Sequence, residues 1–304
     1  MKVSGFSYMR NSFTYGYPVI QSITSVLPLV DEFIAVVGKS DDGTREAIAA
    51  IGSPKIRIID TEWDPAMTKG GKIFAQQANI GLKAIAPDAD WAFHIQSDEV
   101  IHEKDIPEIR QAMQEHLHDK KVDGFLFPFY HFIGDYKHIG PTRKWHSKEI
   151  RITRNDQKVF SYRDSQGFRL YDSEAAYMED ERKNGTKLKV KMLDARVYHY
   201  SYCRNPYLLS GKLKKFGSYY SQGSASPEFS KEAEAFDFHG VIDILAPFEG
   251  THPAVMNEVI AKQNWEFKYD PSRGRFKPRH RVLHEIEKIT GWRIGEYKNY
   301  KLIS

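Results

Sequence analysis

The first 130 residues of the chain alternate between two hydrophobic periodicities. Apolar-rich segments predict strands at residues 2–6, 33–37, 55–59, 91–95 and 124–130, and the continuously apolar run FIAVV at residues 33–37 predicts a fully buried strand. Between these runs, apolar residues recur every three or four positions, as Ile20 and Ile23 do after Pro18, and this spacing predicts helices. The alternation predicts an α/β fold with a mostly parallel central sheet and helices on both faces.

The second half of the chain has a different pattern. Short strands are predicted at residues 149–153, 159–162, 188–191 and 196–200. Helices are predicted from Pro206 onward, near residues 253–262 and over residues 278–290. We therefore expect a main domain over residues 1–220, divided near residue 130, and a mainly helical, basic C-terminal extension over residues 221–304.

Parallel α/β sheets bind ligands at the carboxyl ends of their strands, where the strand order switches. The first candidates for a site are therefore residues 7–10, 38–42, 61–64 and 97–99. Among them, Asp98 and Glu99 directly follow a buried strand in the run HIQSDEVI. Mg²⁺ and Mn²⁺ prefer oxygen ligands, usually one or two carboxylates together with phosphate oxygens. The turn predicts a divalent-cation site, with helix capping as the alternative.

Composition and missing motifs narrow the chemistry. The single cysteine, Cys203, excludes an intramolecular disulfide and a multi-cysteine zinc site. The sequence has no GxGxxG after its first strand, no GxxxxGK[ST] and no GxSxG. These absences argue against a dinucleotide site, a P-loop and a nucleophile elbow. With no leader-like start and no apolar run long enough to span a membrane, we expect a cytoplasmic protein.

Charge is unevenly distributed along the chain. The formal net charge is +4, whereas the segment from Lys262 to the end has 11 Lys and Arg against 5 Asp and Glu. This segment predicts either a solvated face or a patch that meets anionic lipid or an anionic substrate. A peripheral position at the inner membrane face is therefore a second expectation. No nucleic-acid-binding motif accompanies the charge, so nucleic acid is not an expected partner.

The order of the motifs resembles that of one known group, the GT-A-fold glycosyltransferases, and specifically their large inverting family 2. The run IQSDE at residues 95–99 is similar to that family's acidic strand-end signature, with Gln96 in place of the first acid. VVGKSDDGT at residues 36–44 is similar to its V-V-D-D-G-S-T-D-G-T stretch, one residue shorter. GGK at residues 70–72 and NIG at residues 79–81 are similar to the start of its next helix. The resemblance covers roughly residues 1–220.

This resemblance implies a GT-A fold and an inverting transfer from a nucleotide diphosphate sugar to a carbohydrate or lipid-linked acceptor, assisted by Mn²⁺ or Mg²⁺. It implies a nucleotide-sugar half over residues 1–130 and an acceptor half over residues 131–220. Asp98, supported by Glu99 and His199, is the implied metal site, and packing among tyrosines is the alternative for His199. The residues implied around the donor nucleotide and its phosphates are Ser7, Arg10, Asp41, Lys72, Asn79 and Lys212.

An inverting transfer requires a general base that deprotonates the acceptor hydroxyl. Asp164, in the segment that resembles the acceptor half, is the first candidate. Asp180 is its rival, because many family members carry the base in a Glu-Asp pair at a helix start. Two other functions stay open. One is a sugar-phosphate nucleotidyltransferase, whose usual Gly-rich stretch the run SYMRNS does not provide; the other is a non-catalytic basic binding module.

Overall fold

A computed structural model of the chain describes residues 1–67, 69–220, 235–238, 242–270, 272, 274 and 276–303, with Phe216 described by its backbone alone. In its first half, strands and helices alternate as the hydrophobic pattern predicts, except that a short, unpredicted strand over residues 99–101 directly follows the strand over residues 91–94. In chain order they are β1 (Val3–Met9), α1 (Val19–Val26), β2 (Glu32–Gly38), α2 (Thr44–Ala50), β3 (Ile56–Thr61), α3 (Lys72–Lys83), β4 (Trp91–His94), β5 (Glu99–Ile101), α4 (Ile106–Glu115) and β6 (Gly124–Ile133).

The second half contains shorter strands and four helices within the described residues. They are β7 (His138–Ile139), β8 (Lys148–Arg154), β9 (Val159–Ser161), β10 (Phe168–Leu170), α5 (Glu174–Glu179), β11 (Thr186–Lys187), β12 (Lys189–Met192), β13 (Val197–Tyr202), α6 (Pro206–Ser218), β14 (Ala246–Pro247), α7 (Asn257–Ala261), α8 (Pro278–Thr290) and β15 (Lys301–Leu302). The four predicted strands are β8, β9, β12 and β13, and the predicted helix over residues 278–290 is α8. Two-residue strands, such as β7 and β15, escape prediction because they are too short to show a periodicity.

The central sheet has the strand order β3-β2-β1-β4-β8-β6. Strands β1 to β4 are mutually parallel, whereas β8 lies between β4 and β6 and is antiparallel to both. Alternate residues of β2 face two cores: Phe33 belongs to the core that includes residues of α1, α2 and α4, and Ile34 belongs to the core that includes residues of α3. The predicted α/β architecture, a mostly parallel sheet with helices on both faces, is confirmed.

The described part of the C-terminal segment packs against the main sheet. Strand β14 pairs with β7, β15 pairs with β12, and Met256 is buried beside Tyr198 and Tyr200. Residues 221–234 of the predicted extension lie outside the described residues, and the boundary at residue 220 stays a prediction. Within the part of the chain that the structure describes, no helix combines the length and the apolar character that crossing a bilayer requires.

Candidate functional site

A cleft of about 710 Å³ opens at the carboxyl edge of the sheet, where the sequence predicts a site. The segments that follow β1 to β4 line it, and α6 closes it from another direction. Six predicted site residues line this cleft: Arg10, Asp41, Asp98, Asp164, His199 and Lys212. Four other predicted site residues are not among its lining: Ser7, Lys72, Asn79 and Glu99.

The turn between β4 and β5 separates its two acids. The backbone nitrogen of Glu99 donates to the carbonyl of Gln96 at 3.0 Å, and the backbone nitrogen of Gln96 donates to Glu99 Oε2 at 3.1 Å. On the next strand, the Tyr200 nitrogen donates to the carbonyl of Asp98 at 2.8 Å. Asp98, inside this turn, lines the cleft, whereas Glu99, which begins β5, is fully buried.

Glu99 is fully buried and is held by Arg151 of β8. Arg151 Nε donates to Glu99 Oε2 at 2.7 Å, and Nη2 donates to Oε1, which makes the pair bidentate. The guanidinium also lies 5.1 Å from the ring centre of Phe129. Both carboxylate oxygens are therefore engaged inside the protein, and this geometry argues against the metal-ligand role that the sequence predicts for Glu99.

Asp98 is the anionic centre of the cleft. Its Oδ2 lies 3.4 Å from Lys212 Nζ, 3.6 Å from His199 Nε2 and 3.8 Å from Arg204 Nη2. Burial alone would raise the pKa of Asp98, but His199, Lys212 and Arg204 together hold that pKa well below its ordinary value. The carboxyl group is therefore ionised at neutral pH and is available to a cation or a donor.

Lys212 is an unusual lysine because it is buried. Burial, together with repulsion from Arg204, lowers the pKa of Lys212 to about 7, and Asp98 acts in the opposite direction. Lys212 Nζ donates to Ser201 Oγ at 2.7 Å, and both Lys212 and Arg204 lie over the ring of Tyr17, at 4.9 and 4.4 Å. Sequence reasoning missed Arg204, Ser201 and Tyr17, because only the fold brings them to Asp98.

A histidine pair determines which nitrogen of His199 faces Asp98. His131 Nε2 lies 2.6 Å from the carbonyl oxygen of His146, which can only accept, so this nitrogen carries a proton. Burial, with the nearby His199, holds the pKa of His131 well below its ordinary value, so His131 is neutral and its Nδ1 is an acceptor. His199 Nδ1, 2.8 Å away, is then the donor. Nε2 is therefore the nitrogen of His199 that faces Asp98.

Asp98 Oδ2 and His199 Nε2 face each other across 3.6 Å. That distance is too long for a hydrogen bond. It suits two ligands of one ion, because ligands about 2.1 Å from a metal can lie up to about 4.2 Å apart. A carboxylate and an imidazole, completed by phosphate oxygens, form a donor set that fits Mn²⁺. The ring nitrogens of His131, His146 and His199, all within 4.8 Å of one another, are a second candidate cluster for a transition metal.

Four aromatic rings line one wall of the cleft: Tyr8, Trp63, Phe74 and Tyr219. The centres of neighbouring rings lie 5.3 to 6.4 Å apart. Gly38 makes room for this wall, since a Cβ at that position would come within 2.4 Å of Trp63 Nε1. Arg10 lies over the same Trp63 ring at 5.7 Å. The wall therefore combines flat apolar surface with positive charge.

Asp164 lies at the cleft on the turn after β9. Its neighbours Arg163 and Ser165 both have positive φ angles, 57° and 63°, which residues other than glycine rarely adopt. The hydroxyl of Tyr220 donates to Asp164 Oδ2 at 2.9 Å. At Gly71, which begins α3, a Cβ would come within 2.6 Å of the Cβ of Asp164. Close packing and a strained turn thus fix this carboxylate.

The rival Asp180 lies elsewhere, at the end of α5. Its Oδ1 accepts hydrogen bonds from the backbone nitrogens of Arg182 and Lys183, at 3.0 and 3.1 Å. It is not among the residues that line the cleft. In this arrangement Asp180 ends a helix, whereas Asp164 lines the same cleft as Asp98.

Three residues predicted to contact the donor lie away from the cleft. Ser7 is fully buried in β1. The Asn79 side chain bonds both backbone groups of Ser161, accepting at 2.7 Å and donating at 3.0 Å. Lys72 is exposed, and its Nζ lies 3.6 Å from Glu181 Oε1. Their roles toward a donor stay predictions, and the contacts observed connect segments of the fold.

Fold and cleft together define a class of protein. The chain is an α/β protein with a cation-rich cleft, a carboxylate–histidine pair and an aromatic wall at the carboxyl edge of a mostly parallel sheet. Such edges are where proteins of this architecture bind nucleotides and other phosphorylated ligands.

No protein-family model matches the chain, and no curated protein matches it. Among solved structures it is similar to S. aureus TarS, at 14% identity and a TM-score of 0.42, over 71% of this chain and 39% of that one. It is also similar to TarS 1-349 in complex with UDP-GlcNAc, at 14% identity and a TM-score of 0.41, over 71% of this chain and 65% of that one. A third similar structure is glucosyl-3-phosphoglycerate synthase from Mycobacterium tuberculosis with Mn²⁺, UDP-glucose and glycerol 3-phosphate. The identity is 19% and the TM-score 0.30, over 43% of this chain and 44% of that one. The chain thus spans less than two thirds of each.

Replacing Glu99 by Gln should destabilise the protein. The change leaves Arg151 buried without its counter-charge, which costs about 3–5 kcal/mol in comparable pairs. Chemical denaturation should show this loss, while Glu115→Gln, an exposed control on α4, should stay within about 0.5 kcal/mol of wild type. A stable Glu99→Gln variant that binds Mn²⁺ more weakly would instead support the metal role of Glu99.

Proposed function

We propose that the protein is an inverting glycosyltransferase that transfers a sugar from a nucleotide diphosphate sugar to a carbohydrate or lipid-linked acceptor, assisted by Mn²⁺ or Mg²⁺. The observation that carries this proposal is the pair of Asp98 and His199, facing each other across 3.6 Å in the cleft at the carboxyl edge of the sheet. The motif resemblance supports reading this pair as a metal site, because it independently implies Asp98 and His199 as metal ligands.

The donor's diphosphate has suitable partners in the cleft. Four basic side chains line it: Arg10, Lys212, Lys214 and Lys215. Charged donors of this kind stabilise the negative charge that builds up as a nucleoside diphosphate departs. A divalent cation held by Asp98 and His199 would supply further neutralisation of that charge. The aromatic wall offers flat surfaces on which the base can stack.

Asp164 is the group that we assign as general base. Its carboxylate takes the proton of the acceptor hydroxyl while that oxygen bonds to the anomeric carbon and the nucleoside diphosphate leaves. The hydrogen bond from Tyr220 and the strained backbone on either side hold the carboxylate in one orientation. A fixed base is effective because the reacting atoms must already be in place.

One observation favours a second mode of action for the same cleft. Lys212 Nζ already lies 3.4 Å from Asp98, and an ammonium at this position can neutralise a diphosphate without a metal. The two modes differ in their response to a chelator. Activity that survives EDTA but is lost in Lys212→Ala would assign the neutralising role to the lysine.

Asp98→Asn should abolish the metal-dependent part of nucleotide binding, because it removes the charged ligand without changing the side-chain shape. Calorimetry with UDP, GDP and dTDP, each with and without Mn²⁺, measures this part. We expect a loss of at least about tenfold in affinity, as for the removal of one charge-assisted contact. Asp180→Asn is the matched control outside the cleft. Unchanged metal-dependent binding in Asp98→Asn would refute the role of Asp98 as a metal ligand. If the wild-type protein binds no nucleotide, the proposed glycosyltransferase function is refuted.

His131→Phe should weaken Mn²⁺ binding about 10–100-fold, as the loss of an outer-shell partner of a metal-bound histidine does. The change removes the hydrogen-bond partner of His199 and keeps an aromatic ring at the position. His146→Ala is the comparison variant, because it removes the third ring of the histidine cluster but keeps the backbone carbonyl that accepts from His131. Mn²⁺ titrations of both variants, with thermal unfolding as a check of folding, distinguish the alternatives. Equal loss in both variants would point to the three-histidine cluster as the metal site.

Asp164→Asn should lower kcat about 10²–10⁴-fold with little change in donor affinity, because a general base acts in the chemical step. Asp180→Asn, which changes the rival acid, should retain nearly full activity. The measurement is nucleoside diphosphate release from UDP-, GDP- and dTDP-sugars with saccharide acceptors. A larger loss of kcat in Asp180→Asn than in Asp164→Asn would assign the general base to Asp180. Release of pyrophosphate from a nucleoside triphosphate and a sugar phosphate would instead favour the nucleotidyltransferase function.

A further inference from the structure

Helix α8 carries a row of apolar side chains on its solvent side. Val282, Ile286 and Ile289 are spaced by four and three residues, which places them on one face of a helix. Val282 is 60% exposed and Ile289 is 83% exposed, with the half-buried Ile286 between them; Trp292, which follows the C-terminal Gly291, is 62% exposed. We call these four apolar residues the α8 stripe. Large apolar side chains exposed in a row, rather than singly, mark a contact surface.

The stripe has basic surroundings. The exposed basic residues on or next to α8 are Lys277, Arg279, Arg281 and Lys288. The two acids of the helix are paired with bases: Glu285 lies 3.4 Å from Lys288, and Glu287 lies 3.2 Å from Arg293. An apolar row with a basic border is therefore what this helix presents to the outside.

The other side of α8 is attached to the protein. His284, two positions from Val282 and so on the far side of the helix, is only 4% exposed and packs edge-on against Phe276 at 5.7 Å. Arg293, which is mostly buried, joins Glu287 of the helix to Glu296. The helix is thus held by its polar side, and the α8 stripe is turned away from the core.

We propose that the α8 stripe docks on the surface of an anionic bilayer. Interfacial helices of this kind place apolar and Trp side chains at the boundary of headgroups and acyl chains, with Lys and Arg beside the lipid phosphates. Charge decides between this occupant and a second copy of the chain. A symmetric pair would bring the same basic border against itself, whereas anionic lipid complements it. The proposal does not depend on the transferase activity.

Co-sedimentation of the full chain with vesicles tests the proposal. Vesicles of phosphatidylcholine alone are compared with vesicles of equal parts phosphatidylcholine and phosphatidylglycerol. We expect binding to the second kind only, and weaker binding as salt rises, because exposed charges are screened over about 10 Å at 0.1 M. No binding to the anionic vesicles at low salt would overturn the proposal.

Two double variants address the two halves of the surface. Arg281→Glu with Lys288→Glu should weaken binding at least about 25-fold, since each basic charge near an anionic surface contributes about fivefold. The double variant Ile289→Ser with Trp292→Ser should also bind the anionic vesicles more weakly, and its binding should still decrease as salt rises. The matched controls are Lys120→Glu with Lys121→Glu, and Met178→Ser, all exposed residues elsewhere.

The control variants and the oligomeric state separate specific lipid binding by the α8 stripe from a general charge effect and from dimer formation. Equal loss in the Lys120 and Lys121 control would mean that net charge alone drives binding, which contradicts a specific surface. Light scattering gives the mass of the free protein. If the wild-type protein is a dimer and the double variant Ile289→Ser with Trp292→Ser is a monomer, the α8 stripe is a dimer interface. That result would also overturn the proposal. A monomer whose anionic-vesicle binding is lost only in the α8 variants supports it.

Discussion

The buried ion pair between Glu99 and Arg151 is the interaction on which the cleft depends. Moving two charges out of water costs several kcal/mol for each ion, and only close geometry with additional donors offsets that cost. Glu99 has both, because two nitrogens of Arg151 and the backbone nitrogen of Gln96 donate to its carboxylate. The pair connects the β4–β5 turn to β8. The pair thus anchors the turn that carries Asp98 at the cleft.

Gln96, where the resembled family has an acid, changes the electrostatics of the cleft. One ionised carboxylate, Asp98, faces Lys212 and Arg204, and Arg10 adds further positive charge. A site with this balance attracts a diphosphate more readily than a free divalent cation. The cation would then arrive with the diphosphate or be completed by its oxygens, which is the way in which Mg²⁺ is usually bound in proteins.

Hydrophobic periodicity predicts the alternating strands and helices because each element leaves a local pattern, and strand ends predict the edge that carries the cleft. The same reasoning cannot predict that β8 lies between β4 and β6, because strand order depends on pairings between distant segments. Arg151 and Arg204 escape prediction for that reason. Asn79 is a different case: motif similarity implies a donor contact, whereas its amide is engaged by the backbone of Ser161.

The backbone around Asp164 connects stability to function. A left-handed conformation outside glycine costs on the order of 1–3 kcal/mol for each residue and persists only where the surroundings over-determine it. Here the nitrogen of Arg163 donates to Glu181 at 3.0 Å, and Tyr220 holds the carboxylate of Asp164. Contacts from separate segments thus maintain a conformation that local preferences oppose. What they maintain is an acid aimed into the same cleft as Asp98, which is the arrangement that a base acting on a bound acceptor requires.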